Sequence, residues 1–325
     1  MAGSIVVPFS SAGGNARLKI VEQVKFFDVA DRSRVNCRKM GGTARVKEIY
    51  DEGYTEILKP ANRPQDLEHR QTIWSWIDGV DCCDRREASA ITFVVAVGYG
   101  TMPDGTKGQE VLSVVSSDFI ASPEPREGIS VYLVDYVATK KGYEGFGLAS
   151  EAMKVSREIV DRHAEHRGRK VGATVLEVRW PGWGNDEPIE KMHALSHMLP
   201  GAVLLTKQNA DGSHTPVEIP QIGLRRKWRT ILKFAGVFEL DPQLIVPNEG
   251  LGYPLIAVLH VLEIVNTRII EQCYGDTSYA APPEKQRDIK KATRNAVEFT
   301  QGIEFLNSVL LTDVLSGQVE LTRPR

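Results

Sequence analysis

Three glycines within six residues, in the segment GYEGFG at residues 142 to 147, have the spacing of a loop that binds an anion. Gly142, Gly145 and Gly147 can adopt positive φ angles, which direct successive backbone N–H groups toward one point. Lys140 and Lys141 precede them directly and add local positive charge. In front of a helix, such a loop binds phosphate through its amides and the positive end of the helix dipole. The segment therefore predicts a phosphate site, with a tight turn that binds nothing as the alternative.

Three common phosphate-binding loops do not fit this segment. A P-loop carries its lysine after the glycines and follows it with Ser or Thr, whereas both lysines here come first. A dinucleotide fingerprint has the spacing G-x-G-x-x-G, and this segment has the reverse order, G-x-x-G-x-G. A protein kinase also needs catalytic-loop and metal-loop motifs, which the sequence lacks.

The segments around the glycines predict the elements that hold the loop. Residues 90 to 121 read as two strands joined by the turn MPDGTKG, and ISVYLVDYVAT, residues 129 to 139, reads as a third strand. Apolar residues at helical spacing predict a helix that starts at Leu148 and ends at Gly168, and GATVLEVRW predicts a fourth strand. This order indicates a mixed sheet whose last two strands are joined by a crossover helix.

Residues 131 to 153 resemble the acetyl-CoA-binding motif of the GNAT family of N-acetyltransferases, in which a strand leads into (Gln or Arg)-x-x-Gly-x-(Gly or Ala) and then a helix. Residues 142 to 147 occupy the six motif positions. The resemblance covers about residues 90 to 200. It implies an α/β (α+β) fold with a mixed, mainly antiparallel sheet of the acyl-CoA N-acyltransferase type. It also implies acetyl-CoA or another acyl-CoA as cofactor, bound by Val137, Lys140, Lys141, Gly142, Tyr143, Glu144, Gly145, Phe146, Gly147 and Leu148.

The motif departs from the family pattern at its first position. The family has Gln or Arg there, and this chain has Gly142, which removes a long polar side chain from the diphosphate site. Lys140 or Lys141 can replace the missing charge. If neither does, the departure favours a catalytically silent, CoA-responsive or scaffolding module. A third reading is a structural protein whose glycine turn binds nothing.

The resemblance implies direct attack of an amine, from a small molecule or a peptide, on the acyl thioester in a ternary complex. A backbone amide near Val137 would polarise the thioester carbonyl. Asp135, on the same strand face, and Glu177, among apolar neighbours, are the candidate bases; the alternative is that each faces water or pairs with an arginine. His193 stands where the family often has a tyrosine that protonates the thiolate. Solvated histidines, or a metal pair with His197, are the alternatives.

Composition excludes several classes of protein. The formal net charge is −2, from 40 Lys and Arg against 42 Asp and Glu, so no overall field attracts nucleic acid or an acidic membrane. The first residues lack the pattern of a secretory signal, and no long apolar run occurs, so we expect a cytoplasmic protein. The four cysteines have neither metal-site nor disulfide spacing, and we predict no metal.

We divide the chain into three predicted parts: a mixed, helical N-terminal region (1–88), an acyl-CoA-binding core (89–245) and a C-terminal helical extension (246–325). Residues 66 to 77 predict a helix in the first part. In the second, 189–199 predicts a short helix, and 201–207 and 228–240 predict strands. In the third, 253–272 and 283–315 predict helices, whose apolar faces pack on the core or, alternatively, form a homo-oligomer interface.

Overall fold

The computed structural model describes residues 7–8, 17–62, 67–78, 89–121, 129–178, 189–199, 201–216, 218–220, 233–240 and 307–320. In chain order the elements are β1 (Val7–Pro8), β2 (Ile20–Asp28), α1 (Arg34–Met40), α2 (Thr43–Glu52), a π-helix (Gly53–Leu58), α3 (Lys59–Ala61), α4 (Arg70–Asp78), β3 (Ser89–Thr101), β4 (Lys107–Ala121), β5 (Ile129–Thr139), α5 (Leu148–Glu165), β6 (Lys170–Val178), α6 (Ile189–Met198), β7 (Val203–Gln208), β8 (His214–Pro216), β9 (Glu218–Pro220), β10 (Lys233–Leu240), β11 (Asn307–Leu310) and α7 (Leu311–Leu315).

The chain forms two compact units. The first comprises Met1–Phe119 and Val134–Gly168, and the second comprises Ile120–Leu133 and Arg169–Arg325, so the division passes through β4 and β5. The boundaries predicted after residues 88 and 245 remain a prediction, because residues 79–88 and 241–306 lie outside the described part of the chain.

The sheet of the first unit has the strand order β1, β2, β3, β4, β5 and buries both faces of β3. Side chains alternate across a strand. Phe93 and Val95 therefore pack with Tyr50 of α2 on one face. On the other face, Ala96 packs with Tyr143 and with Leu148, the first residue of α5. Strand β3, the central strand of this sheet, thus packs against the glycine loop through Ala96 and Tyr143.

Strand β2 was not predicted, because the spacing of its buried residues does not alternate. Its buried residues Val21, Val24 and Phe27 recur at every third position, which hides the alternation expected of a strand. A β-bulge lies between Val21 and Gln23, opposite Gly100. A Cβ atom at Gly100 would lie 1.8 Å from the carbonyl oxygen of Ile20, so only glycine fits there.

The predicted hairpin is confirmed as β3 and β4. The backbone N–H of Met102 donates to the carbonyl of Thr106 at 2.8 Å, and Gly105 has a φ of 85°, as the turn requires. Asp104 accepts hydrogen bonds from the side chain and backbone of Thr106, and these bonds lower the pKa of its carboxyl.

The crossover between β5 and β6 is also confirmed. The Ser130 hydroxyl, near the start of β5, donates to the carbonyl of Lys170, the first residue of β6, at 2.8 Å. The two strands therefore begin side by side, and the chain between them passes through α5. Ala152, Val160 and Ala164 form the buried stripe of that helix. The mixed α/β class with a mainly antiparallel sheet is thus correct.

The strands of the second unit also pair antiparallel. Strand β10 pairs with both β6 and β7, and β7 pairs with β8 and β11. The strand predicted at 201–207 is found as β7, and the helix predicted at 189–199 is found as α6. The strand predicted at 228–240 is found as β10 over Lys233–Leu240, and residues 228–232 lie outside the described part of the chain.

The helix predicted over 283–315 is wrong in its last part. Asn307–Leu310 is a strand paired with Val203–Thr206 of β7, and only Leu311–Leu315 is helical. The pairing with β7 satisfies the backbone of this short apolar segment, whose periodicity alone does not distinguish strand from helix. The helix predicted at 253–272, and the rest of 283–306, lie outside the described residues.

The helix predicted at 66–77 is found as α4 and begins at Arg70. Among the described residues, none of the helices combines the length and the apolar character that crossing a bilayer requires.

Candidate functional site

The glycine loop connects β5 to α5 and has the backbone geometry that its sequence predicts. Gly142, Gly145 and Gly147 have φ angles of 94°, 80° and 73°. At the start of the loop, the N–H of Lys140 donates to the carbonyl of Leu112 at 2.8 Å. Gly147 caps the helix, since its carbonyl accepts from the N–H of Glu151 at 3.0 Å.

The outer side of this loop is open to solvent. Glu144, Gly145, Phe146 and Gly147 are all exposed, and so is Lys141. Within the described part of the chain, no heavy atom lies within 4 Å of the place where a Cβ atom would stand on Gly145 or Gly147. A ligand can therefore approach the backbone here, at the positive end of an 18-residue helix.

One loop amide already binds a negatively charged group. The backbone N–H of Gly142 donates to the carboxylate of Glu144 at 2.5 Å. A carboxylate oxygen here has the charge and acceptor character of a phosphate oxygen, so the contact indicates that an oxyanion fits against this amide. Backbone donors, the exposed Lys141 and the helix N-terminus together suit a diphosphate.

Lys140, predicted to contact the cofactor, points into the protein. Its side chain is 2% exposed, and its Nζ lies 2.6 Å from Oε1 of Glu110 and also contacts Glu56 of the π-helix. Its charge is therefore balanced by two carboxylates. Lys141, which is exposed to solvent, is the lysine that can replace the missing Gln or Arg of the motif.

Tyr143 also points inward and binds the same carboxylate. It is fully buried, and its hydroxyl donates to Oε2 of Glu110 at 2.6 Å. Burial, and then the neighbouring Glu110, raise the pKa of the Tyr143 phenol. Glu110 is itself held by the backbone N–H groups of Arg17 and Leu18, at 3.0 and 3.2 Å. Glu110 was not predicted as a site residue; its only signal in the sequence is one acidic residue at the start of the apolar run EVLSVV.

A second buried polar cluster joins α5 to the sheet. The hydroxyls of Thr92, Ser117 and Ser156 form a closed triangle with distances of 2.6, 2.8 and 2.8 Å. Each hydroxyl can donate one hydrogen bond and accept another, so all three are satisfied. This triangle fixes the helix that follows the glycine loop.

The predicted catalytic residues fall in different units. Asp135 is exposed on the part of β5 that belongs to the first unit, and Val137, on the same strand face, is half-buried. Glu177 lies in β6 of the second unit, opposite Gly236 of β10. His193 and His197 are exposed on α6, also in the second unit. Asp135 therefore lies in a different unit from Glu177 and His193.

The described residues contain no group of three or more His, Cys, Asp or Glu side chains arranged to hold a metal ion.

No protein-family model matches the sequence, and no curated protein matches it. Similar solved structures include a GNAT-family acetyltransferase from Desulfovibrio desulfuricans, at 10% identity and a TM-score of 0.34, covering 67% of this chain and 98% of that one. The NatC complex bound to Gag peptide and CoA has the same four values. A tandem GNAT protein from the clavulanic acid biosynthesis pathway has 12% identity and a TM-score of 0.35, covering 86% of this chain and 66% of that one. Scores and identities this low say nothing about which reaction the chain catalyses.

Proposed function

We propose that this chain is an acyl-CoA-dependent N-acyltransferase, which transfers an acetyl or other acyl group to an amine of a small molecule or peptide. The proposal rests on one structural observation. Strand β5 leads into α5 through a loop with three left-handed glycines, and the outer side of that loop is exposed. The glycine spacing and the order of elements agree with the acetyl-CoA-binding motif of the GNAT family.

In this proposal, backbone amides from Lys141 to Leu148 and the Lys141 ammonium hold the diphosphate of the acyl-CoA. Phe146, which is exposed between two of the glycines, offers an apolar ring to the same ligand. The side chains of Lys140 and Tyr143 take no part in this contact, because both are buried against Glu110. The bound acyl-CoA supplies the acyl group as a thioester.

The remaining roles belong to groups that orient the amine and move its proton. The backbone N–H near Val137 donates to the thioester oxygen as negative charge develops there. Asp135, in the same unit as the loop, accepts the proton of the attacking ammonium, directly or through water. The roles of Glu177 as a base and of His193 as an acid remain predictions from the sequence.

Two measurements on the full chain test this proposal. Thermal unfolding with and without millimolar acetyl-CoA tests binding, since a ligand that binds only the folded state raises the melting temperature. Release of free CoA thiol in the presence of an amine panel tests transfer. A raised melting temperature with thiol release supports the proposal. Binding without release for any amine contradicts the enzymatic part, and the absence of binding contradicts the whole proposal.

A further inference from the structure

Glu110 connects the two inward-pointing residues of the glycine loop. Lys140 and Tyr143 stand at the two ends of the first turn of the loop, which is closed by a hydrogen bond from the N–H of Tyr143 to the carbonyl of Lys140 at 3.0 Å. Both side chains bind Glu110, one to each carboxylate oxygen. Between them, Lys141 is exposed and Gly142 has a positive φ.

We propose that Glu110 is a positioning residue, which sets the orientation of the loop amides for the acyl-CoA diphosphate by binding the buried side chains of Lys140 and Tyr143. The inference rests on the proposed function, because it concerns the same loop. It assigns a role to a residue of β4 that has no contact with the ligand and that no motif identifies.

The environment of Glu110 makes it a rigid support. It is fully buried, and the N–H groups of Arg17 and Leu18 bind its carboxylate independently of the loop. The carboxylate therefore keeps its place when the loop moves. Two anchors three residues apart restrict the rotation of the peptide groups between them, whereas one anchor would leave the turn free to pivot.

The ion pair between Lys140 and Glu110 favours the one loop conformation in which the Lys140 side chain is buried. A lysine at 2% exposure has lost most of its hydration, and contact with two carboxylates compensates for that loss. If Glu110 became neutral, the Lys140 ammonium would gain by moving toward solvent or wholly to Glu56. Either movement removes one of the two side-chain anchors of the turn, so the amides that follow are less firmly oriented.

The experiment compares Glu110→Gln and Tyr143→Phe with the control Ile49→Ala. Ile49, in α2, is buried in a separate core cluster that contains neither Tyr143 nor Leu148. Truncating its side chain destabilises the fold without touching the loop. All variants are measured well below their melting temperatures. Tyr143→Phe removes a single hydroxyl and keeps the ring, so it remains informative if Glu110→Gln does not fold.

The first readout is the KM for acetyl-CoA and for the amine. We expect Glu110→Gln to raise the KM for acetyl-CoA about tenfold, with a smaller rise for Tyr143→Phe and no change in the KM for the amine. Ile49→Ala should change neither KM by more than about twofold. Unchanged acetyl-CoA affinity in both loop variants overturns the inference, and so does an equal loss in the control.

The second readout needs no ligand and separates this inference from the proposed function. Amide hydrogen exchange of residues 141–148 should become faster in Glu110→Gln than in the wild type, relative to the helix α2. If the wild type does not bind acetyl-CoA, the proposed function fails, and faster loop exchange still supports the positioning role. Unchanged loop exchange overturns it.

Discussion

Glu144 accepts a hydrogen bond from the backbone N–H of Gly142, two residues before it in the same loop, at 2.5 Å. The loop thus supplies its own carboxylate to one of the amides that we assign to the acyl-CoA diphosphate. A diphosphate that takes this amide must displace Glu144 and then remain close to its negative charge.

Removing the charge of Glu144 should therefore strengthen binding. We expect Glu144→Gln to lower the Kd for acetyl-CoA about fivefold, because roughly 1 kcal/mol of competition and repulsion is lost. Glu158→Gln is the matched control, since Glu158 is exposed farther along α5. Calorimetric titration measures both. Equal or weaker binding by the Glu144 variant would contradict the competition.

The glycines of the loop should matter for binding more than for folding. Gly145→Ala and Gly147→Ala place a Cβ in open space at positive φ, and this strain costs about 1 kcal/mol of stability each. Gly168→Ala, at a φ of 64° and also without a neighbour within 4 Å among the described residues, introduces similar strain outside the loop.

All three variants should unfold at nearly the same urea concentration, because the backbone strain is alike. Only the two loop variants should lose acetyl-CoA affinity, since there the added methyl group stands where the ligand approaches the backbone. If Gly168→Ala weakened binding as much as the others, the effect would be one of general stability.

Lys140 and Lys141 are neighbours, but replacing Lys140 should mainly lower stability, whereas replacing Lys141 should mainly weaken acetyl-CoA binding. Lys140→Met leaves the buried Glu110 without its cation, and we expect it to lower the free energy of unfolding by about 3 to 5 kcal/mol. Lys141→Met changes an exposed side chain and should cost less than about 0.5 kcal/mol, while weakening acetyl-CoA binding.

A double variant tests the assignment of this cost. Adding Glu110→Gln to Lys140→Met neutralises both buried partners, and the remaining carboxylate of Glu56 is 29% exposed and pairs with Arg17. The double variant should be more stable than the sum of the two single effects predicts, by urea denaturation. Simple additivity would mean that the two groups do not interact.

Asp28 should make stability depend on pH. It accepts hydrogen bonds from the backbone of Ala30 and Phe93, both at 3.0 Å, but loss of hydration dominates and raises its pKa from 3.8 to about 6. The folded state then binds this proton more tightly than the unfolded state. Its contribution to the free energy of unfolding is therefore largest at low pH and falls as the pH rises from about 4 to about 6.

The variant Asp28→Asn removes this titration. The stability of the wild type relative to the variant should fall, on the order of 2 kcal/mol, between pH of about 4 and about 7. His163, whose pKa burial lowers, titrates in both proteins and so cancels in the difference. A difference that stays constant or increases with pH would show that the Asp28 pKa is not raised.

The parts of the fold that the sequence predicted depend on local chemistry. The MPDGTKG turn, the apolar strand before the glycines and the stripe of α5 each require only neighbours in the chain. The strand β2 escaped prediction because its buried residues recur at every third position: a bulge separates Val21 from Val24, and Val24 and Phe27 are buried on opposite faces. The strand Asn307–Leu310 escaped because its helix-like spacing is overridden by pairing with β7.

The sequence by itself determined the order of the elements from β3 to β6 and the left-handed glycines, because both follow from local periodicity and from the missing Cβ atom. Only the tertiary structure decided which lysine faces solvent. Lys140 and Lys141 look equivalent in the sequence before the glycines. The Lys140 side chain nevertheless points inward, because its ammonium binds Glu110 of β4 and Glu56 of the π-helix. Contacts between residues so far apart in the chain arise only when the sheet and helices pack, since each buried charge must then find its partner.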